Sequence, residues 1–280
     1  MIGVLLALAA SVSWGIADFG GGLGARRTQI VWVLVVSQVA GLVLVGTIAL
    51  VTQPQVPTGR ELAWGVLAGA GGVVGLGAFY RALAVGTMGI VGPISAMGAV
   101  VPVLYGLARG EQPSALQIVG IVVAVVGVVA AALEPVPEGA GRKLTAGASF
   151  ALLAAAGFGS SLLGLNRVSQ AGVVWGTLLL RLTVVPIVLA AALLTRPSAA
   201  RLRPVLPLLV ATGLFDTGAN LLYGASSRHA LISVVAVLGS LYPVVLVVLA
   251  RFVLHERISR PQLAGVALAL TGVALISAGG

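Results

Sequence analysis

Residues 205–227 read VLPLLVATGLFDTGANLLYGASS, an apolar run whose only charged residue, Asp216, lies at its centre. A helix of about 20 apolar residues crosses ~30 Å of hydrocarbon, so this run predicts a transmembrane helix. A charge in the bilayer core costs ~3 kcal/mol, which makes Asp216 a functional candidate. Thr212, Asn220 and Tyr223 share one helix face with Asp216. We predict that this polar face lines a cavity, because lipid would exclude it.

The rest of the chain has the same apolar character. Of its 280 residues, 59% are hydrophobic and 8% are charged, whereas a soluble domain carries about 25% charged residues. A water-soluble fold could not bury so much apolar surface, so we predict an all-α integral membrane protein. The apolar runs are continuous, which excludes the alternating pattern of a membrane β-barrel.

Polar and helix-breaking residues divide the chain into ten predicted spans. These cover residues 2–23, 30–51, 62–84, 88–108, 114–133, 145–166, 173–194, 205–227, 230–253 and 261–278. The breaks at 84–88 and 227–230 require very tight turns. The 39 glycines are concentrated inside the spans, where small-xxx-small spacing predicts close packing of helices in lipid.

The net charge of +9 does not predict a nucleic-acid partner, because the basic residues stand singly or in pairs and form no patch. They are typical of anchors at anionic lipid headgroups. The absence of cysteine excludes disulfides and thiolate metal sites. No His-Glu-x-x-His, Gly-x-Ser-x-Gly or cluster of metal ligands occurs, so we predict no enzymatic activity, no cofactor and no metal.

The two halves of the sequence repeat at an offset near 143. The matching positions are Trp14-Gly15 with Phe158-Gly159, Trp32 with Trp175, Tyr80 with Tyr223, Pro102 with Pro243, Glu111 with Glu256, Gln117 with Gln262, Gly120 with Gly265 and Gly127 with Gly272. Each half holds five predicted spans, and an odd number forces the second half to enter the membrane from the opposite side. We therefore predict two inverted five-helix repeats, residues 1–135 and 144–280, around a central cavity.

One difference separates the repeats. Pro102 and Glu111 are nine residues apart, whereas Pro243 and Glu256 are thirteen apart. The difference of four residues is about one helical turn, so we predict that the fourth span is one turn shorter than the ninth.

These positions also carry a family resemblance. The run from Pro243 through His255-Glu256-Arg257 and Gln262 to Gly272, and its weaker copy from Pro102 to Gly127, resemble the end of an EamA-type repeat of the drug/metabolite transporter superfamily. Trp14-Gly15, Asp18-Phe19 and Arg26-Arg27 resemble the start of bacterial members. The resemblance implies ten spans, a central cavity, and transport of metabolites or amphipathic compounds without ATP. It also implies a multi-pass protein of the plasma membrane, the bacterial inner membrane.

Seven residues are candidates for contact with substrate: Trp14, Asp18, Tyr80, Arg181, Asp216, Asn220 and Tyr223. Arg181, in the seventh span, either neutralises Asp216 or binds a substrate carboxylate as a bidentate fork. It fits an arginine often seen in the second span of the family's repeats, whereas the first half has Gln38 there. Asp18 either lines the cavity or caps the end of the first span. Glu111 and Glu256 are expected to cap the helices that follow them or to pair with arginines.

The basic residues outside the spans separate into two sides. Arg60, Arg109, Arg167 and Arg228 fall on one side, and eleven others fall on the opposite side. The positive-inside rule then favours both termini outside, whereas the resemblance implies termini inside.

We interpret the chain as a secondary transporter, an exporter or exchanger, that works by alternating access. Its substrate would be a small, partly apolar solute, and Asp216 or Asp18 could couple transport to protons. A membrane channel and a lipid-handling membrane protein without transport coupling are the alternatives. The expected partners are the solute and membrane lipid, and the sequence leaves a homodimer open.

Overall fold

The computed structural model describes residues 1–85, 94–131, 141–255 and 259–279, with side chains omitted at 80, 83–85, 141–146 and 250. All regular structure in these ranges is helical. The helices are α1 (Ile2–Ala25), α2 (Ile30–Thr52), α3 (Gly59–Val85), α4 (Val100–Ala108), α5 (Ala115–Ala131), α6 (Gly141–Ala171), α7 (Val173–Thr195), α8 (Leu206–Ser226), α9 (Ile232–Gly239), α10 (Tyr242–Val253) and α11 (Arg260–Ala278). Short 3₁₀ turns, Met97–Ala99 and Arg203–Val205, precede α4 and α8.

Eight helical segments of the described chain are long and apolar enough to cross a membrane. Two shorter apolar helices, Ile94–Ala108 and Ala115–Ala131, lie where the fourth and fifth spans were predicted. The all-helical membrane class is thereby confirmed, and eight of the ten predicted spans meet the length and composition of a crossing. The turn predicted at 227–230 is present between α8 and α9, while 86–93 lie outside the described residues.

Two predicted spans differ from the helices observed. The sixth, 145–166, is too short, because α6 continues to Ala171. Its polar end is stabilised by packing, since the Arg167 guanidinium lies 5.9 Å from the centre of the Tyr105 ring. The ninth, 230–253, is two helices rather than one. Its chain turns at Ser240 and Leu241, just before Pro243, which has no N–H to continue a helical hydrogen-bond ladder.

Packing between the halves is symmetric under their exchange. Helices α1, α2 and α3 of the first half correspond to α6, α7 and α8 of the second. The contact of α1 with α8 therefore corresponds to that of α6 with α3, and the contact of α2 with α8 corresponds to that of α7 with α3. The pairs α2 with α7 and α5 with α11 are each their own counterpart. The tryptophans follow the same rule. Trp32 Nε1 donates to the Pro197 carbonyl at 3.3 Å, and Trp175 Nε1 donates to the Pro54 carbonyl at 2.9 Å. The two tryptophans are 143 positions apart in the sequence, and so are the two prolines.

The close contacts of two glycines align the two repeats more precisely than the sequence offset near 143 does. A Cβ added at Gly15 would meet Val245 and the Tyr242 carbonyl, and one added at Gly159 would meet Val101 and the Gly98 carbonyl. Val101 therefore corresponds to Val245, at an offset of 144.

The pairing of Pro102 with Pro243 is consequently wrong. The two prolines occupy different positions of equivalent segments, so their spacing to Glu111 and Glu256 does not measure the length of a helix. The prediction of a fourth span one turn shorter than the ninth loses its basis. The predicted residues 88–93 of that span lie outside the described residues.

Glu111, after α4, connects the first half to the second. Its Oε1 accepts a hydrogen bond from the Ile232 N–H at 2.6 Å, and its Oε2 accepts one from the Ser233 N–H at 3.2 Å. A carboxylate at the start of α9 satisfies unpaired amides and complements the positive end of the helix dipole. The expectation that Glu111 caps the helix following it is wrong, because Ser114 and Gln117 exchange the capping bonds of α5.

Glu111→Gln is expected to loosen the start of α9. The amide offers one acceptor oxygen and turns a donor toward the second N–H, so the cap should lose about 1–2 kcal/mol. The measurement is hydrogen exchange of the amides at 232 and 233, together with thermal unfolding in detergent. Glu61→Gln is the matched control, because Glu61 bonds only to Thr58 at the start of its own helix. Unchanged exchange at 232 and 233 would remove Glu111 as the cap.

Candidate functional site

A buried ion pair joins the middle of α7 to the middle of α8. Arg181 Nη2 donates to Asp216 Oδ2 at 2.6 Å, and Arg181 Nη1 donates to the Gln38 side-chain oxygen on α2. The Arg181 side chain is 1% exposed, whereas that of Asp216 is 26% exposed. The arginine is thus enclosed by protein, and the carboxylate is the accessible member of the pair. Of the two roles predicted for Arg181, neutralising Asp216 is the one observed.

Two glycines allow the three helices to approach closely enough for this contact. A Cβ added at Gly41, on α2, would collide with Thr217 Oγ1 and lie 3.1 Å from Arg181 Nε. A Cβ added at Gly213, on α8, would collide with the backbone of Ser37. The missing side chain at Gly41 therefore leaves room for Thr217 and for the guanidinium beside it.

Gln38 is the neighbour of this ion pair that sequence reasoning missed. It appeared only as a departure from the arginine expected in the second span of each repeat. Its distance of 143 residues from Arg181 equals the repeat offset, so the two residues are equivalents that meet where the halves meet. That offset was the signal that could have found the contact, because residues on a twofold axis touch their own counterparts.

The polar face predicted on α8 is mostly enclosed by neighbouring helices. Thr212, Asn220 and Tyr223 are buried, and α1 and α2 pack against α8. Asn220 Nδ2 donates within the helix to the Asp216 carbonyl at 2.7 Å. Asp216 is therefore the accessible residue of this face, in contrast to the expectation that the whole face lines a cavity.

Two predicted residues on α1 lie against this face. The rings of Trp14 and Tyr223 are 5.4 Å apart, which brings together two candidates from different halves. Asp18 is exposed on α1, the helix that packs against α8. The side chain of Tyr80, the remaining candidate, lies outside the described residues, so its role stays a prediction.

Two clefts open at the ends of the helices, away from these residues. One, of about 310 Å³, is lined by Arg26, Arg27 and Arg201 among others. The second, of about 500 Å³, lies between α3, α4 and α6, and we call it the basic cleft. Its principal lining residues are Arg60, Trp64, Tyr105, Arg109 and Arg167. Each cleft draws its arginines from one of the two sides that the sequence predicted.

Comparison with known families explains the two-half organisation. The model of the EamA-like transporter family matches residues 1–133 and again residues 145–278. The chain belongs to the EamA-like transporter family. As an EamA-family protein it is a multi-pass membrane protein of a transporter superfamily, which agrees with the resemblance carried by its repeat ends.

A solved structure shares the fold of this EamA-family chain. A crystal structure described only as that of a protein superposes with a TM-score of 0.77, covering 99% of this chain and 97% of its own. The two sequences are 15% identical, so the likeness concerns the fold alone. No curated protein matches the sequence.

Proposed function

We propose that this protein is a secondary transporter that moves a small, partly apolar solute by alternating access between two inverted five-helix repeats. In this proposal the two shorter helices, Ile94–Ala108 and Ala115–Ala131, cross the membrane with the eight longer ones. Ala115–Ala131 has 17 residues, which is at the lower end of the range that spans hydrocarbon. Ile94–Ala108 is shorter, and the predicted span to which it belongs begins at residue 88, outside the described residues. The symmetric exchange of packing contacts between the halves supports the inverted arrangement.

The ion pair between Arg181 and Asp216 carries the proposal. Both residues lie mid-helix in predicted spans, and Gln38 brings the first half into the same contact. Ionisable groups in a membrane interior are costly and mark pathways for ions or substrates. A buried cation keeps its partner unless another negative or polar group replaces it. Solute or proton binding at Asp216 would therefore change the contact that holds α2, α7 and α8 together.

We propose proton coupling because the two carboxylates of this region share a single paired arginine. Among the described residues, Arg181 forms an ion pair with Asp216 alone. No basic side chain of the described residues forms an ion pair with Asp18. One arginine compensates one carboxylate, so Asp18 is the group we propose to gain and lose a proton.

Counterflow in proteoliposomes tests transport directly. Metabolites and amphipathic compounds would first be screened for stabilisation of the purified protein, since a ligand of the native state raises its unfolding temperature. A stabilising solute should then enter liposomes with saturating kinetics and exchange against a preloaded pool of the same solute. A channel predicts flux that does not saturate and shows no counterflow, and that result would overturn the proposal. Applying a pH gradient in the same vesicles shows whether flux is coupled to protons.

A further inference from the structure

The basic cleft contains three arginines without an anionic partner among the described residues. Arg60 and Arg109 are exposed, and Arg167 is partly buried. The Nε of Arg167 is inaccessible and has no hydrogen-bond partner. Its guanidinium carbon lies over the face of the Tyr105 ring, 5.9 Å from the ring centre. Three positive charges around one cleft give it a positive potential that attracts a negative ligand.

No acidic residue among those the structure describes supplies that negative charge. Of the chain's seven acidic residues, Asp18 and Asp216 lie in mid-helix. The Glu61 carboxylate bonds to Thr58, and the Glu111 carboxylate bonds to the start of α9.

The other three acidic residues, Glu134, Glu138 and Glu256, lie outside the described residues. The described helices next to them end far from the basic cleft. Helix α5 begins near Arg109, and its 17 residues carry the chain about 25 Å away, at ~1.5 Å per residue.

The shape of the basic cleft suits an amphiphilic anion. Helices α3 and α4 both pack on α6, and the cleft opens between them, where the rings of Trp64 and Tyr105 meet edge to face at 6.1 Å. Leu67, on its wall, and Leu104 and Leu107, on α4 beside it, are exposed. Arginines at a helix end beside exposed leucines and a Trp–Tyr pair resemble the boundary between headgroups and acyl chains.

The repeat symmetry does not by itself produce the basic cleft. At the offset of 144 found for the glycine contacts, Arg167 corresponds to Leu23 and Trp64 corresponds to Leu208. The symmetry-related place at the other end of the molecule therefore lacks both an arginine and an aromatic residue that build the basic cleft.

We propose that the basic cleft binds a phosphoryl group, with Arg60, Arg109 and Arg167 as its ligands. Arginine is suited to this role because its planar fork offers paired donors to phosphate oxygens. The group could belong to an anionic phospholipid or to a soluble phosphate. The site is separate from the Arg181–Asp216 pair, so it goes beyond the proposed transport function.

Thermal unfolding of delipidated protein in neutral detergent tests this site. The probes are short-chain phosphatidylglycerol, short-chain phosphatidylcholine and inorganic phosphate. Phosphatidylglycerol is expected to raise the unfolding midpoint in a saturable way, and phosphatidylcholine is not. An equal response to inorganic phosphate at matched concentration would assign the site to soluble phosphates, and no response to it would assign the site to lipid.

Arg109→Gln is the decisive variant, because Arg109 is exposed and its loss should leave folding intact. It is expected to weaken phosphatidylglycerol binding by about tenfold, as the loss of a charge-assisted hydrogen bond implies. Arg228→Gln is the matched control: it removes the same charge at the same end, outside the basic cleft. Equal weakening in both variants would indicate general attraction to charge and overturn the site. A response of the wild type that does not distinguish the two lipids would also overturn it.

Discussion

Asp216→Asn is expected to reduce solute uptake to background and to destabilise the protein. The substitution leaves the Arg181 guanidinium buried without its counter-charge. Breaking a buried ion pair costs ~3–5 kcal/mol. Because Asp216 is 26% exposed, solvent screening should bring the loss to about 2–3 kcal/mol. The measurements are thermal unfolding in detergent and uptake into proteoliposomes with and without a pH gradient.

A double variant separates the loss of stability from the loss of transport. Arg181→Gln combined with Asp216→Asn removes both charges, and neutral replacements of a buried pair are often close to neutral in stability. The double variant should therefore unfold nearer to the wild type than Asp216→Asn does, yet still fail to transport. Uptake by Asp216→Asn that stays at the wild-type rate and still responds to the gradient would remove Asp216 from the mechanism.

Gly213→Ala is expected to disturb the site from one helical turn away. The added methyl group would run into the Ser37 backbone of α2, which neither a rotamer change nor a small side-chain shift can relieve. Overpacking of this kind costs about 1–3 kcal/mol. It should also move α2, and with it Gln38, away from Arg181. We expect a lower unfolding temperature together with reduced uptake.

Gly218→Ala provides the control on the same helix. A methyl group there has its nearest neighbour, Ser13 Oγ, at 3.8 Å, which is an ordinary contact. Alanine is the better helix former by about 1 kcal/mol, so this variant should be as stable as the wild type or more stable. If Gly213→Ala behaves like Gly218→Ala, α2 and α8 do not meet as closely as the structure has them.

Several features of this protein follow from its sequence alone. Continuous apolar runs of hydrocarbon length determine the helical membrane class, because only a helix satisfies its own backbone hydrogen bonds in lipid. The offset near 143 identifies two copies of one unit, and Asp216 and Arg181 are conspicuous because charges in such runs are rare. The sequence offered contact between these two residues as one expectation. Spacing within a single helix cannot show that two residues on different helices meet.

Tertiary structure alone decided how the helices meet. Spacing within one helix shows that Thr212, Asn220 and Tyr223 share a face, but α1 and α2 determine that this face is buried and only Asp216 stays accessible. Gln38 joins the pair because equivalent helices, α2 and α7, pack against each other. Glu111 caps α9 rather than α5 because α9 begins beside it in space. Sequence periodicity describes one helix at a time, whereas these contacts depend on which helices pack together.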